Sequence, residues 1–393
     1  ARCGASSSAS SAGPATPGPA ADGRRVTRQR HEALLDAEIV HFARALKPHP
    51  ITLQQILAQH DAEALREFLL EELPIRWARR LHLLESMEKW REFPHMRVIR
   101  SLYSDAFRRL RMIPQTDAER FRTTLQSIKR RNSNMLMHVV RGTRAMKAAL
   151  ALKDDQVNDF LDDFLTARIG TDILSSQYLA ITRPGGATSV IDPRCDPVSV
   201  VRQAAKDASR LCRYHYGCAP PVDVVDVGQV RFPFIQQYLN YIMFELLKNS
   251  LRAVTERYDQ AECALHPVRV VVCGDDSTVV IRISDAGGGI PLDAVHKVWS
   301  YLYTTAKAQG EDQNAQGFDS EEDDEGVAAM AGFGCGLPLS RNYAAYVGGR
   351  LELNSMPDHG ADAYLYLNRL GNSLEVVDVE PKALLPSRGF LPR

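Results

Sequence analysis

The sequence predicts an α+β fold in which an N-terminal helical bundle precedes an α/β sandwich with a mixed sheet. From about residue 31 to 180, apolar residues recur at helical spacing and strand signals are few. After about residue 268, short alternating runs bounded by turn residues predict strands. A chain of 393 residues is long enough for two domains with their own cores.

The helical half is predicted from three stretches. Residues 62–73, 121–152 and 157–179 have apolar side chains at helical spacing, and 121–152 is interpreted as one long amphipathic stretch. Long helices joined by short loops are typical of a bundle. The loop 182–187 contains Pro and paired Gly residues, so we expect the boundary between the two domains there.

The second half is predicted from two helices and two hairpins. Helices are expected over 197–216 and 238–257. Strands at 268–273 and 278–283 flank a Gly-Asp-Asp-Ser turn signal. Strands at 350–354 and 363–367 flank a second turn. Two hairpins packed by helices fit a sandwich with a mixed sheet and helices on one face.

The first 30 residues differ in composition from the rest. They are rich in Ala, Ser, Gly and Pro, contain several Arg residues and have Asp22 as their single acid. That composition is typical of an organellar transit peptide, and a disordered tail without an address is the alternative. Low-complexity acidic residues at about 307–331 predict a long surface insert with solvated carboxylates.

Composition excludes several classes of function. Lys+Arg and Asp+Glu are equal at 48 each, so no global charge favours nucleic acid. No apolar run approaches the ~18 residues that a membrane-spanning helix needs. The seven cysteines show no CxxC pair or zinc-ligand spacing, and we interpret them as reduced thiols of an intracellular compartment.

The helix predicted at 238–257 has the most informative polar residues. Glu245 and Asn249 are four residues apart and therefore share one helix face. An amide oxygen is a ligand that Mg²⁺ accepts, and a carboxylate one turn earlier can orient or deprotonate a nucleophile. Lys248 and Arg252 add positive charge to the same helix. A solvated helix face is the alternative interpretation of this pattern alone.

Two glycine-rich segments follow this helix in order. Asp285 ends a predicted strand and precedes Gly287, Gly288 and Gly289, which permit close backbone approach to a ligand. The Asp285 carboxylate could accept a hydrogen bond from the exocyclic amine of a purine. Residues 332–336 then form a Gly-rich loop before a predicted helix through Tyr346, where backbone amides can bind phosphate.

This ordered series resembles the N-box, G1 and G2 motifs of the gyrase, Hsp90, histidine kinase and MutL (GHKL) superfamily. Segments 245–254, 300–306 and 330–338 are similar to the mitochondrial kinases that phosphorylate 2-oxo acid dehydrogenase complexes, most of all to plant-type pyruvate dehydrogenase kinases. Segments 72–76 and 164–170 resemble the family's helical domain. The resemblance extends from about residue 30 to about 372.

The resemblance implies a domain layout. It consists of a transit-peptide-like segment at 1–30, a regulatory and lipoyl-docking helical bundle at 31–182, and a GHKL (Bergerat-type) kinase domain at 188–372. The acidic insert at about 307–331 would be the ATP lid, and 373–393 a C-terminal tail.

The resemblance also implies roles for site residues. Glu245 would be the general base, Asn249 the Mg²⁺ ligand and Asp285 the adenine acceptor. The remaining nucleotide-binding residues would be Lys248, Arg252, Gly287, Gly289, Thr305, Gly332, Gly334, Cys335, Gly336 and Leu337. Tyr103 and Arg168 match a regulatory pocket for a 2-oxo acid, although the His expected there falls at Asn132.

The chain departs from the pyruvate-type pattern at several positions. Tyr241 replaces a His four residues before the base, and we interpret it as a packing residue because a phenol is a poor proton relay near neutrality. Ala361 replaces a Thr on the adenine side. Cys335 replaces an aromatic residue and is interpreted as packing, with a redox-sensitive thiol as the alternative. The family's C-terminal Asp-Trp pair is absent, since the last Trp is Trp299.

The function implied is a mitochondrial matrix protein-serine kinase. It would use Mg·ATP to phosphorylate and inactivate the E1 alpha subunit of the pyruvate dehydrogenase complex, bind an E2 lipoyl domain and form a homodimer, without a nucleic-acid or membrane-spanning role. Branched-chain 2-oxo acid dehydrogenase is the alternative substrate, favoured by Tyr241 and segment 231–235. A histidine kinase using His138, and a non-kinase ATP-binding scaffold, are alternatives of another class.

Overall fold

The computed structural model describes residues 28–184, 189–303 and 334–377. The described residues fall into two units, which divide between Glu38 and Ile39. The described part of the first unit is the start of helix α1 (Arg28–Ala45), which begins inside the segment predicted as a tail. Part of the predicted boundary loop (185–188) and the predicted lid (307–331) lie outside the described residues. The predicted domain boundaries therefore stay predictions.

The helical part of the second unit confirms the helices predicted from periodicity at 62–73 and 157–179. The prediction of one stretch over 121–152 is wrong, because two helices are separated at Asn132–Asn134. Asn and Ser side chains compete with the helical backbone for hydrogen bonds, which favours helix ends at such residues. The helices are α2 (Leu53–Ala58), α3 (Ala62–Glu85), α4 (Pro94–Arg111), α5 (Ala118–Arg131), α6 (Met135–Leu150) and α7 (Asp154–Ile181).

The sheet part contains both predicted hairpins. The main sheet has five strands in the order β2-β4-β5-β7-β6. β2 and β4 are parallel and the other neighbours antiparallel, so the sheet is mixed, as predicted. A separate two-stranded sheet pairs β1 with β3. The strands are β1 (Asp192–Cys195), β2 (Val222–Asp226), β3 (Phe232–Phe234), β4 (Val268–Gly274), β5 (Thr278–Asp285), β6 (Arg350–Met356) and β7 (Gly360–Asn368).

Three helices cover one face of the main sheet. Alternate strand residues are buried, and the register places Val270 beside Ile283 and Ile281 beside Leu365 on the same face. Helices α8 (Pro197–Tyr216), α9 (Gln236–Arg257) and α10 (Gly336–Tyr346) pack on that face. Burial of apolar side chains between sheet and helices is the main stabilising contribution there. The predicted α+β fold class is confirmed.

The segment after β7 returns to the helical part. Thr52 and Leu374 form an isolated antiparallel bridge, and the Ile51 amide donates to Glu375 Oε1 at 3.2 Å. We call His49, Glu72, Arg76 and Glu375 the Arg76 cluster. In this cluster, Arg76 Nε donates to Glu72 Oε1 at 2.7 Å and Arg76 Nη1 to Glu375 Oε2 at 3.0 Å. His49 Nδ1 lies 3.0 Å from Glu72 Oε2. The first residues of the predicted tail are therefore anchored to α3.

In the ranges 28–184, 189–303 and 334–377, no helix combines the length and the apolarity that crossing a membrane requires.

Candidate active site

Glu245 lies where α9 meets the start of α10. Its side chain is 5% exposed, and Lys248 Nζ donates to Glu245 Oε1 at 2.6 Å. The other oxygen, Oε2, faces the first residue of α10, because a Cβ added at Gly336 would lie 2.0 Å from it. The first N–H groups of a helix have no partner within the helix. A buried carboxylate and the opening turn of α10 are therefore in direct contact.

Asn249 lies one turn after Glu245 and is exposed. Its side chain has no hydrogen-bond partner among the residues that the structure describes, so its amide oxygen is available to a ligand. Arg252, by contrast, directs Nε to Glu256 Oε1 at 2.7 Å. The structure thus brings Glu245, Lys248 and Asn249 together and pairs Arg252 with an acid further along α9.

Asp285 ends β5 beside α9. Its Oδ1 accepts from the Gly287 amide at 2.9 Å and from the Ala361 amide at 3.3 Å. Burial raises the pKa of Asp285, while these two amides and the Ser250 side chain offset part of that rise. The carboxylate is thereby oriented by backbone and α9 contacts.

The glycine turn after β5 requires its small residues. Gly289 has a φ of 71°, and a Cβ there would lie 2.3 Å from the Met356 carbonyl oxygen. Gly287 packs against α9, where a Cβ would lie 2.4 Å from Ala253 Cβ. These two predicted residues therefore let the turn approach both α9 and β6 closely.

Arg257 holds the same turn and was missed by the sequence analysis. Its Nη1 donates to the Ala286 carbonyl at 3.1 Å and to the His359 carbonyl at 2.9 Å, and its Nη2 donates to the Asp358 carbonyl at 2.9 Å. One guanidinium therefore joins the end of α9 to two loops distant in sequence. No local pattern around Arg257 signals partners so far along the chain.

The predicted phosphate loop is described from Gly334 onward. Gly334 has a φ of 75°, Cys335 precedes α10 as its N-cap, and Gly336 and Leu337 open the helix. Cys335 is fully buried, and burial raises the pKa of its thiol to about 12, which fits the packing interpretation. Thr305 and Gly332, also predicted site residues, lie outside the described residues.

The segment just before the predicted lid is fixed by contacts with α7 that the sequence analysis missed. The Tyr301 hydroxyl donates to Asp162 Oδ1 at 2.8 Å and accepts from Asn342 Nδ2 at 2.7 Å. The Tyr301 amide donates to Asn158 Oδ1 at 2.9 Å. Segment 300–306 was singled out by resemblance, but only the fold shows that α7 and α10 hold its start.

Tyr241 is buried one turn before Glu245. Its ring contacts Tyr343 edge-on, with 5.3 Å between centroids, and its hydroxyl has no hydrogen-bond partner within the described residues. Burial, and secondarily the Glu245 carboxylate, raise the pKa of Tyr241 well above its usual value. The phenol therefore stays protonated near neutrality, in line with a packing role.

Tyr103 and Arg168 both interact with Arg80 and with each other, and Arg80 was not among the residues predicted from the sequence. The Tyr103 hydroxyl accepts from Arg80 Nη1 at 2.7 Å, and Arg80 Nη2 donates to Thr171 Oγ1 at 3.0 Å and to the Ala167 carbonyl. Arg80 is 2% exposed, and its Nε lacks a partner among the described residues. Burial lowers the pKa of Arg80, and Arg168 is among the nearby cations that lower it further.

Arg168 has an acidic neighbour, whereas Arg80 does not in the described part of the chain. Burial is the largest effect and would lower the pKa of Arg168, but Asp172, one turn later on α7, and nearby tyrosines together more than offset it, so the pKa is raised. The hydrogen-bond partners of Arg80 are all neutral. The region around Tyr103 therefore contains a buried cation that has no carboxylate partner within residues 28–184, 189–303 and 334–377.

Comparisons with known proteins agree with this geometry. Residues 235–370 match the family model described as "Histidine kinase-, DNA gyrase B-, and HSP90-like ATPase". The fold and the site therefore define a GHKL-type ATP-binding protein. Residues 50–194 match the model described as "Mitochondrial branched-chain alpha-ketoacid dehydrogenase kinase".

Similarity to curated proteins extends over both halves. The mitochondrial pyruvate dehydrogenase (acetyl-transferring) kinase of Arabidopsis thaliana is 35% identical over 322 residues, 79% of this chain and 86% of the relative. That of Schizosaccharomyces pombe is 34% identical over 260 residues, 65% of this chain and 60% of the relative. The mitochondrial pyruvate dehydrogenase (acetyl-transferring) kinase isozyme 4 of Mus musculus is 30% identical over 377 residues, which are 89% of this chain and 88% of the relative. The chain belongs to the mitochondrial pyruvate dehydrogenase kinase family.

Proposed function

We propose that this chain is a mitochondrial protein-serine kinase that uses Mg·ATP to phosphorylate the E1 alpha subunit of the pyruvate dehydrogenase complex and thereby inactivates it. The observation that carries the proposal is the contact between the buried Glu245 carboxylate and the first turn of α10, with Asn249 one turn away. Family membership and the names of the relatives support the same reaction and the mitochondrion as its location. The matrix compartment is part of the proposal.

The residues present fit ATP and Mg²⁺. Gly336 lets the Glu245 carboxylate approach the α10 N-terminus, since a Cβ there would lie 2.0 Å from Oε2, and the first N–H groups of such a helix suit phosphate oxygens. The exposed Asn249 amide offers a hard oxygen of the kind that Mg²⁺ prefers. At the C-terminal end of β5, the glycine turn permits close approach of the backbone, and the Asp285 carboxylate can accept a hydrogen bond from the adenine amine.

Bound Mg·ATP would supply the γ-phosphoryl group for in-line transfer. Glu245 would accept the proton of the attacking serine hydroxyl, and Lys248, which donates to it at 2.6 Å, holds its carboxylate in place. The α10 amides would bind the charge spread over the phosphate oxygens. The contacts of Tyr301 with α7 and α10 would fix the start of the lid.

The proposal includes partners and regulation. By family resemblance, the helical part would dock an E2 lipoyl domain and the kinase would act as a homodimer. The site around Tyr103 and Arg168 would bind a 2-oxo acid inhibitor. What supports the last point is Arg80, a buried cation whose hydrogen-bond partners are neutral, because a carboxylate ligand would compensate its charge.

The test is phosphoryl transfer from ATP radiolabelled in its γ-phosphate to purified pyruvate and branched-chain E1 proteins in parallel. We expect label on serine of pyruvate E1 alpha and its loss with Glu245→Gln. Glu256→Gln is the matched control, since Glu256 is an exposed carboxylate on the same helix, and it should keep the wild-type rate.

Three results would contradict the proposal. Label on branched-chain E1 alone would replace the substrate. Acid-labile label on the kinase itself would indicate a histidine kinase, although His138 Nδ1 already lies 2.9 Å from His95 Nδ1. ATP binding without transfer to either E1 would favour a non-kinase scaffold.

A further inference from the structure

Three cysteines that the proposed kinase chemistry does not use converge beside the end of α9. Cys212 is in the last turns of α8, Cys218 follows the helix directly, and Cys263 starts the short 3-10 helix Cys263–Leu265. All three are free thiols. Cys212 and Cys263 are buried, and Cys218 is partly exposed.

We call Cys212, Cys218 and Cys263 the thiol cluster, and Thr255 of α9 lies between two of its members, Cys212 and Cys263. Its Oγ1 lies 3.4 Å from Cys212 Sγ and 4.0 Å from Cys263 Sγ, and it donates its proton to the Leu251 carbonyl at 2.7 Å. The Thr255 oxygen therefore acts as acceptor towards both thiols. The side chain of Cys218 forms a hydrogen bond with Cys263, so Cys263 is the member of the cluster that contacts both Thr255 and Cys218.

A metal site does not explain the cluster. Among the described residues, no group of three or more His, Cys, Asp or Glu side chains is arranged to hold a metal ion. Burial raises the pKa of both Cys212 and Cys263, so these two thiols stay protonated near neutrality. Cys218 is the member of the cluster that a solvent-borne oxidant can reach.

We propose that Cys218 and Cys263 form a redox couple that closes to an intramolecular disulfide on exposure to hydrogen peroxide. The Cys218 thiolate attacks one peroxide oxygen, the O–O bond breaks, and sulfenic acid and hydroxide form. The Cys263 sulfur then attacks the Cys218 sulfur, and the S–O bond breaks. The hydroxyl group leaves as water with the Cys263 proton. Two thiols are oxidised and one peroxide is reduced to two molecules of water.

The bond would join the end of α8 to the segment after α9. Glu245 and Asn249 of the proposed active site lie on α9. The disulfide would therefore restrict movement of the segment that follows the C-terminal end of this helix. The proposal does not depend on the kinase assignment, because its readout is a covalent bond within the chain.

The experiment treats the full chain with hydrogen peroxide, blocks remaining thiols with iodoacetamide, and analyses a non-reducing tryptic digest by mass spectrometry. We expect peptides 214–231 and 258–269 to appear joined, lighter than their sum by two hydrogen atoms. Dithiothreitol should release both. Cys218→Ser should abolish the joined species. Cys273→Ser is the matched control, since Cys273 is a partly exposed thiol on β4, and it should leave the species unchanged.

Two outcomes would overturn the proposal. One is oxidation of Cys218 to sulfinic or sulfonic acid while Cys263 stays free for alkylation after unfolding. The other is a joined species that contains peptide 211–213, and hence Cys212, in place of 258–269. Because Cys218 is partly exposed, Cys218→Ser is expected to fold, and its unfolding temperature should be measured alongside.

Discussion

The Glu245 site and the Arg76 cluster both place a buried glutamate against a cation, yet they differ in how completely their charges are paired. In the Arg76 cluster, the guanidinium has two carboxylate partners, and each carboxylate has at least one further donor. At Glu245, one oxygen has Lys248 and the other faces the opening of α10. A buried charge whose hydrogen-bonding atoms are all paired holds chain segments together. A buried charge with an unpaired atom can still use that atom to bind a ligand.

Arg80 extends the comparison, since it lies one turn after Arg76 on the same helix. Burial alone would lower the pKa of either guanidinium. For Arg76, Glu375 and Glu72 more than offset burial and the pKa is raised, whereas the pKa of Arg80 is lowered. Arginines one turn apart on the same helix therefore have a structural role in one place and a proposed ligand-binding role in the other.

Breaking the paired cluster is expected to have the largest effect. Glu375→Ala leaves Arg76 without one of its two carboxylates in a buried site, and we expect the free energy of unfolding to fall by about 3–5 kcal/mol. Urea denaturation followed by circular dichroism measures this. The exposed ion pair of Glu352 with Arg350 gives the control, because Glu352→Ala should change the urea midpoint little.

A double variant sharpens the same prediction. Arg76→Met with Glu375→Leu removes both charges of this pair and should recover part of the lost stability, because Arg76 is no longer a buried cation short of a carboxylate and Glu72 keeps its contacts with His49. If Glu375→Ala alone left the urea midpoint unchanged, the cluster would not anchor the segment after β7.

Gly336→Ala is expected to have the next largest effect. The added Cβ would displace the Glu245 carboxylate, and a misplacement of about 1 Å costs roughly 100-fold in rate. Steady-state kinase assays should show the loss in kcat, with little change in the urea midpoint. In a Glu245→Gln background, Gly336→Ala should lower kcat little further, since the effects of substitutions at residues that act as a unit are not additive. Additive losses would show that Gly336 acts independently of Glu245.

The contrast between these sites also explains what the sequence could predict. Helices, both hairpins and the glycine turn have local signals: periodicity, turn residues and the spacing of Glu245 and Asn249. The ion pair of Arg76 with Glu375 joins residues 299 positions apart, and no local pattern encodes it. The same holds for Arg257 and the loops it binds.

The missed helix break at Asn132–Asn134 is of a different kind. Its signal, Asn-Ser-Asn, was present in the sequence, but helical periodicity on both sides outweighed it. Long-range pairing could not be predicted from one sequence, whereas this local boundary could have been.

Arg80→Met tests the unpaired charge. If Arg80 compensates a bound carboxylate, the inhibition constant of the kinase for pyruvate should rise about 10- to 100-fold, as expected for loss of a charged hydrogen bond. Stability should fall less than in Glu375→Ala, since no carboxylate is left unpaired. Arg79→Met is the matched control on the preceding residue and should keep the inhibition constant. Unchanged inhibition in Arg80→Met would assign Arg80 a packing role only.

Asp285 provides the smallest and most specific test, because its carboxylate is partly paired like that of Glu245. Burial raises the folded-state pKa of Asp285 above its unfolded value, so the folded protein binds the proton more tightly. As pH falls through the raised pKa, this group should increase the free energy of unfolding, while adenosine affinity should decrease because the protonated oxygen no longer accepts from the adenine amine.

Asp285→Asn should remove the pH dependence of both the free energy of unfolding and the adenosine affinity. It should also weaken adenosine binding roughly 10-fold at neutral pH, since the Asn N–H donor would face the amine donor of adenine. Titration calorimetry with adenosine, which lacks titrating phosphates, measures the affinity at each pH. Ser284→Ala, at the neighbouring position on β5, should keep the wild-type pH profile. An unaltered profile in Asp285→Asn would remove Asp285 from the nucleotide site and leave it a role in holding the turn between β5 and β7.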